Sequence, residues 1–150
     1  MEKKHIVFFL ILISLISLGF KLYTVDFTVI PEEDTFGYVL RGMAHNNGDF
    51  TEHPRKTLGW SIFISPFFNM TNSNNFLDYV NIVRGLGLAI SIITIVPMYL
   101  LSRKFFDVKY SLCAVGLFAF EPHLNHVSGL GYTEPLYILA TILSLYFILN

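Results

Sequence analysis

The feature that most constrains this chain is the grouping of its apolar residues into long uncharged blocks. Four such blocks cover residues 6–20, 85–102, 110–120 and 136–149. Hydrophobic residues make up 53% of the 150-residue sequence and charged residues only 14%, whereas an ordinary soluble domain carries about 25% charged residues. A run of about 20 apolar residues is long enough to cross a bilayer as an α-helix. The pattern therefore predicts an all-α, multi-pass membrane protein.

We predict four transmembrane helices, at about residues 6–25, 80–102, 108–121 and 134–150. Lys3 and Lys4 precede the first helix, which places the N-terminus in the cytoplasm. Arg103, Lys104 and Lys109 lie between the second and third helices and give the same orientation. A cleaved signal peptide is the alternative interpretation of the first segment. It is disfavoured because no small-x-small cleavage site follows, so we expect a signal anchor in the cell membrane.

This orientation places a long polar segment, residues 26–79, outside the cytoplasm. A helix is predicted from Asp34 to about His45, because apolar residues recur there at helical spacing. A second short apolar segment follows Thr57 and contains Trp60, which is typical of an interfacial helix. We therefore expect the first extracytoplasmic loop to carry short interfacial helices. A smaller polar loop is predicted at residues 123–133, between the third and fourth spans.

Acidic residues on the outer side fall into two groups. Glu33 and Asp34 follow the first span, and Glu121 and Glu134 lie at the ends of the third and fourth spans. Ionisable groups at membrane helix ends are costly and often functional. Carboxylates facing one cavity suit general-base chemistry or a divalent cation, for which Asp34, Glu121 and Glu134 are the candidate ligands. The competing interpretation is that these acids stabilise helix N-termini and that Asp34 is an N-cap.

The remaining polar residues exclude several classes of protein. A single cysteine, Cys113, rules out a disulfide framework. A formal net charge of -1 gives no basic footprint for nucleic acid, and the histidines lack the paired spacing of a zinc site. Arg84, at the outer start of the second span, is a candidate phosphate ligand because a guanidinium group matches phosphate oxygens. Snorkelling of Arg84 to the lipid headgroups is the alternative.

Seven short motifs together resemble the GT-C superfamily of membrane glycosyltransferases, nearest the protein O-mannosyltransferase and aminoarabinose-transferase branch. They are the acidic stretch Glu33–Tyr38, Gly48–Phe50, His53–Pro54, Lys56–Gly59, Arg84, Arg103–Phe106 and Thr133–Leu136. The resemblance implies the N-terminal part of a GT-C fold. Because that family has more helices than this chain, we expect the chain to be the N-terminal portion of a longer multi-pass protein or a truncated product.

The resemblance also implies a reaction. Such an enzyme moves a sugar from a polyprenyl-phosphate carrier to a protein, lipid or glycan acceptor on the outer face, by direct displacement with inversion. Asp34 or Glu33 would be the catalytic carboxylate, and the choice between them stays open. The candidates for binding substrate or phosphate are Arg84, Lys56, Glu134 and His53.

A non-catalytic multi-pass subunit, or a transporter fragment whose outer loop binds a partner, is the alternative function. A transporter is expected to place ionisable groups near the middle of the membrane. Here they lie at helix ends and in the outer loop, which favours the transferase.

Overall fold

The computed structural model describes residues 2–51, 58–71 and 73–150. His53 and Lys56, two of the substrate-binding candidates, lie outside this range. The described residues form α-helices, one 3₁₀ helix and connecting segments, with no β-strand among them, so the all-α prediction is confirmed for this part of the chain. The helices are α1 (Lys3–Thr24), α2 (Glu33–Asn46), α3 (Leu58–Ile64), a 3₁₀ helix (Ser65–Met70), α4 (Phe76–Ile93), α5 (Ile95–Ser102), α6 (Val108–Ala119), α7 (Pro122–Leu130) and α8 (Glu134–Ile148).

Two helical rods of the described chain have the length and composition to cross a bilayer. α1 has 22 residues with a mean hydropathy of 2.4, and the α4–α5 rod, Phe76–Ser102, has 27 residues with a mean hydropathy of 2.0. α4 meets α5 at Thr94, whose hydroxyl donates to the carbonyl oxygen of Ile90 at 2.7 Å, a bond that commonly bends a helix. α6 and α8 have 12 and 15 residues, fewer than the roughly 20 of a straight span. Two of the four predicted spans therefore meet the length criterion.

α1 runs alongside α6 and α7 in the same direction. The hydroxyl of Ser17 donates to the carbonyl oxygen of Ala119 at 3.0 Å, and further along the ammonium group of Lys21 donates to the hydroxyl of Ser128 at 3.3 Å. Lys21 is only 3% exposed. Ser128 of α7 therefore holds the ammonium group of Lys21 inside the helix bundle.

α8 runs in the same direction as the α4–α5 rod. Pro135, at the start of α8, lies against Gly87 of α4. At the far end, the ammonium group of Lys104 donates to the side-chain oxygen of Asn150 at 2.6 Å. The four rods α1, α4–α5, α6–α7 and α8 thus alternate in direction, as in an up-and-down bundle.

Residues 122–130 form α7, so the prediction of a polar loop over residues 123–133 is wrong for most of its length. Pro122 occupies the first turn, and the carboxylate of Glu121 accepts the backbone N–H of Leu124 at 2.5 Å, which is an N-cap arrangement. Close packing holds the helix against α1: a Cβ atom on Gly129 would lie 2.1 Å from a methyl carbon of Val25. The polar composition of α7 obscured its helical character.

α2, α3 and the 3₁₀ helix form an outer layer that packs on α4. Their shared core contains the buried side chains of Val39, Trp60, Ile64, Phe68 and Val83. Both short helices predicted for the outer segment are confirmed. α2 begins at Glu33, one residue before the predicted start, so Asp34 lies in the first turn of the helix and is not its N-cap.

Candidate functional site

Three carboxylates act electrostatically on one phenol, that of Tyr132, where α2 and α8 begin. The hydroxyl of Tyr132 donates a hydrogen bond to the carboxylate of Glu32. The negative charges of Glu32, Asp34 and Glu134 all act on this phenol. These four residues are called the acidic cluster below. The sequence predicts Asp34 and Glu134 on one side of the protein, and in the structure the charges of both act on the same tyrosine.

The phenol of Tyr132 is held in its neutral form. Burial, then the hydrogen bond to Glu32, then the charges of the three carboxylates raise the pKa of Tyr132 above its ordinary range. A neutral phenol donates one hydrogen bond and accepts others. Tyr132 therefore orients a carboxylate without adding charge. Sequence reasoning missed Tyr132, because its partner Glu32 lies 100 residues away in the chain.

The acidic cluster rests on a junction of α2, α3 and α7. The hydroxyl of Thr35 donates to the carbonyl oxygen of Leu130 at 2.7 Å, and the indole N–H of Trp60 donates to the carbonyl oxygen of Gly131 at 3.1 Å. Gly131 ends α7 with a φ of 87°, in the left-handed region that favours glycine. Tyr132 follows directly, so the end of α7 determines where the phenol lies.

The helix ends favour negative charge in the cluster. Asp34 lies in the first turn of α2 and Glu134 in the first turn of α8, where the helix dipole stabilises a carboxylate. A groove of about 510 Å³ runs beside Glu134 and is lined by Trp60, Thr133 and Tyr137. Asp34 and Glu134 are both exposed residues. The arrangement supplies accessible carboxylates that can accept a proton.

The two candidate catalytic acids differ in their surroundings. Asp34 is among the charges that act on Tyr132, together with Glu32 and Glu134, and Glu33 is not. Glu33 is exposed on the first turn of α2. Asp34 therefore belongs to the acidic cluster, and Glu33 does not.

Glu121 caps the N-terminus of α7 and is not part of a metal site in the described part of the chain. Its carboxylate accepts the backbone N–H of Leu124, and this bond is the main reason that the pKa of Glu121 is lowered. Within residues 2–51, 58–71 and 73–150, no group of three or more His, Cys, Asp or Glu side chains is arranged to hold a metal ion. The expected cation ligands Asp34, Glu121 and Glu134 are therefore not assembled into one site in this part of the chain.

The hydrogen-bond partners of Arg84 lie outside the acidic cluster. It is 4% exposed, and its guanidinium group donates to the carbonyl oxygen of Val29 at 3.0 Å and to the side-chain oxygen of Asn81 at 3.2 Å. The charged neighbour of this group is Asp26. Hydrogen bonds from Thr28, and secondarily the charge of Arg84, lower the pKa of Asp26. The side chain of Arg84 is thus buried within the protein, and snorkelling to the headgroups does not describe it.

Comparison of the chain with protein-family models, with curated proteins and with solved structures finds no match. The function of the chain is therefore inferred from the motifs in the sequence and from the acidic cluster.

Proposed function

We propose that this chain acts as a membrane glycosyltransferase of the GT-C type, by itself or within a longer protein. It would transfer a sugar from a polyprenyl-phosphate carrier to an acceptor hydroxyl on the outer face of the cell membrane. The observation that supports the proposal is that the charges of Asp34 and Glu134 act on the same phenol, that of Tyr132, and that Glu134 lines an open groove. These two acids come from the first and last of the motifs that resemble that superfamily.

The proposed membrane setting is supported by the surface of α1. Only 11% of its most apolar window is buried inside the protein, and Phe8, Leu15 and Ile16 are each more than half exposed. Such a large apolar surface is unfavourable in water and suits a lipid environment. A polyprenyl carrier is held in the same environment, so its phosphate is presented near the helix ends.

In the proposed reaction the acceptor hydroxyl oxygen attacks the anomeric carbon of the donor sugar. The bond between that carbon and the phosphate oxygen breaks, and the phosphate leaves with the bonding electrons. Asp34 takes the proton from the attacking hydroxyl, which is the task of a general base. Glu134 orients the acceptor from the other helix, and Tyr132 fixes the carboxylate of Glu32 through its hydrogen bond. His53 and Lys56, in the same outer segment, are assigned to the donor phosphate.

The test is transfer from a radiolabelled polyprenyl-phosphate sugar in membranes that contain the expressed protein. Loss of a general base typically costs about 10²–10⁴ in rate, so Asp34→Asn is expected to lower transfer at least about 100-fold at equal expression. Glu134→Gln is expected to lower it by a smaller factor, because Glu134 orients the acceptor and does not take the proton.

Asp78→Asn is the matched control. Asp78 is a carboxylate in the first turn of α4 that accepts a hydrogen bond from Ser73 and is not part of the acidic cluster. This variant is expected to retain transfer. Full turnover by Asp34→Asn would overturn the assignment. Absence of transfer by the wild-type protein, together with stable capture of another membrane protein through the outer layer, would instead support the non-catalytic subunit.

A further inference from the structure

The turn between α5 and α6 surrounds an open groove with cations and aromatic rings. The groove has a volume of about 420 Å³, which is within the range of ordinary ligand sites. Its lining consists of two cations, three aromatic rings and one carboxylate, those of Arg103, Lys104, Phe105, Phe106, Tyr110 and Asp107. All six residues are exposed. The groove therefore faces outward, at the end of the bundle away from the acidic cluster.

The start of α1 brings further cations to the same end of the bundle. α1 and α6 run in the same direction and are joined by the bond from Ser17 to Ala119. Because both helices rise equally per residue, counting back equally from this bond brings Ile6 level with Val108. Ile6 packs against the core that α6 shares with α5, as this register requires. The Lys3–Lys4 pair lies about one turn further out, at the level of the groove.

Positive charge is concentrated at this end, which is called the basic end below. It holds half of the chain's ten Lys and Arg residues, namely Lys3, Lys4, Arg103, Lys104 and Lys109. Nine of the eleven Asp and Glu residues lie in the segments 26–79 and 121–134, and only Glu2 and Asp107 lie at the basic end. The basic end therefore carries net positive charge in a chain whose formal net charge is -1.

The two cations of the groove have neutral partners. The guanidinium group of Arg103 donates to the carbonyl oxygen of Phe106. The ammonium group of Lys104 donates to the side-chain oxygen of Asn150 at 2.6 Å and lies 5.3 Å from the centre of the Tyr146 ring. A guanidinium group has five N–H donors and an ammonium group has three. Both side chains therefore keep donors and positive charge for an anion.

The aromatic rings favour an anion that belongs to a bilayer over a soluble one. Phe105, Phe106 and Tyr110 are each more than half exposed. Exposed rings are unfavourable in water and suit the headgroup level of a membrane. A phospholipid brings its phosphate to the cations and its acyl chains to the rings, whereas a soluble anion leaves the rings in water. Clusters of Lys and Arg just cytoplasmic of a membrane helix attract anionic headgroups.

We propose that the basic end binds the headgroup of an anionic phospholipid in the cytoplasmic leaflet. Arg103 and Lys104 contact the lipid phosphate, and the exposed rings of the groove contact the glycerol and the upper acyl chains. This inference rests on the membrane setting of the proposed function and not on sugar transfer. Its test needs neither a donor sugar nor an acceptor, so a protein that transfers no sugar tests it equally well.

The experiment is fluorescence quenching of the full chain in phosphatidylcholine bilayer discs. Cys113, which is exposed in the first half of α6 and one turn from Tyr110, carries a bimane label. Phosphatidylglycerol with brominated acyl chains quenches the label when it lies beside it, and brominated phosphatidylcholine is the neutral comparison. At equal lipid fractions, the anionic lipid is expected to quench more strongly. Equal quenching by the two lipids would overturn the proposal.

Two double variants test whether charge causes the preference. Arg103→Gln with Lys104→Gln removes both charges and is expected to lower the relative association constant for phosphatidylglycerol by about fivefold for each cation. Arg103→Lys with Lys104→Arg keeps both charges at the same positions and is expected to retain the preference. An unchanged preference in the folded glutamine variant, or a lost preference in the folded charge-conserving variant, would contradict the proposal.

Salt provides a measurement on the wild-type protein, which decides if circular dichroism shows that the glutamine variant does not fold. Exposed charges are screened by salt, so the preference for phosphatidylglycerol is expected to fall as sodium chloride is raised. A preference that does not change with salt would overturn the proposal. Sodium phosphate at the same ionic strength is expected to act as chloride does. A greater loss in phosphate would assign the groove to the free anion and not to the lipid.

Discussion

At the residue scale, Tyr132 shows how the acidic cluster accommodates the negative charges of three carboxylates. Carboxylates repel one another because they carry like charges. A neutral hydrogen-bond donor can satisfy the oxygens of one of them without a cation. The phenol of Tyr132 takes that position and donates to Glu32. Burial first, and then the same carboxylates, raise the pKa of Tyr132 and keep the phenol protonated.

The first prediction concerns the titration of Tyr132. Its raised pKa means that the folded protein holds the phenolic proton more tightly than the unfolded chain does. The stabilisation is therefore fully present below the ordinary tyrosine pKa of about 10 and is lost as the pH rises through the higher folded value. The absorbance difference between wild-type protein and Tyr132→Phe, followed near 295 nm, is expected to show Tyr132 ionising above pH ~10.

Glu32→Gln provides the control for this titration. It removes the hydrogen-bonded carboxylate and is expected to move the ionisation of Tyr132 to lower pH. If Tyr132 ionises at the ordinary tyrosine pKa of about 10 in wild-type protein, the described geometry of the acidic cluster is wrong.

At the element scale, the end of α7 connects the outer layer to the bundle. The carbonyl oxygen of Leu130, the last residue of α7, accepts a hydrogen bond from Thr35 of α2. The carbonyl oxygen of Gly131, which follows, accepts one from Trp60 of α3. Gly131 makes this possible through its positive φ and through the space that a missing Cβ leaves. A Cβ atom there would lie 3.0 Å from a methyl carbon of Thr35 and 3.2 Å from one of Val83.

The second prediction is that Gly131→Ala destabilises the protein by about 1–2 kcal/mol, the usual cost of a left-handed conformation for a residue with a Cβ. It should also displace Tyr132 and lower sugar transfer, since the tyrosine follows directly. The measurement is thermal unfolding monitored by circular dichroism. Gly116→Ala in α6 is the control, because a Cβ there meets nothing within 4 Å. Equal melting temperatures for the two variants would contradict the role given to Gly131.

The elements that sequence reasoning identified correctly have a local signal. α2 and α3 follow apolar periodicity, and α1 and the α4–α5 rod follow the length of an uncharged block. α7 has neither signal, because its buried face is made of small and polar residues such as Asn125 and Ser128. Glu121 is predicted to end the third span, whereas in the structure it is the N-cap of α7.

The candidate site was predictable only in part for a similar reason. Asp34 and Glu134 were found because each stands beside a helix start. Tyr132 could not be chosen among eight tyrosines, since its role arises from a contact across 100 residues. The burial of Arg84 likewise depends on Val29, 55 residues away. Contacts of this range are set by packing and have no local signature.

At the scale of the whole molecule, four rods of alternating direction place the acidic cluster at one end and the Lys104–Asn150 contact at the other. The basic residues Arg103 and Lys104 lie at this second end, and positive charge is enriched on the cytoplasmic side of membrane proteins. The packing of the rods is therefore consistent with an acidic cluster on the outer face.

The third prediction tests this arrangement by thiol labelling of cells in a Cys113→Ser background. A single cysteine introduced as Asn47→Cys, in the turn after α2, is expected to react with a membrane-impermeant maleimide in intact cells. Phe105→Cys, in the turn after α5, is expected to react only after permeabilisation. Labelling of both from the same side would contradict the spanning arrangement.

The most direct test of the account is the initial rate of sugar transfer in sealed, right-side-out vesicles, with the acceptor supplied only outside. The wild-type protein is predicted to transfer the sugar under these conditions, and Asp34→Asn at equal abundance is predicted to be at least about 100-fold slower. Equal rates for the two proteins would contradict the assignment of Asp34, and the absence of transfer by the wild-type protein would contradict the proposed function itself.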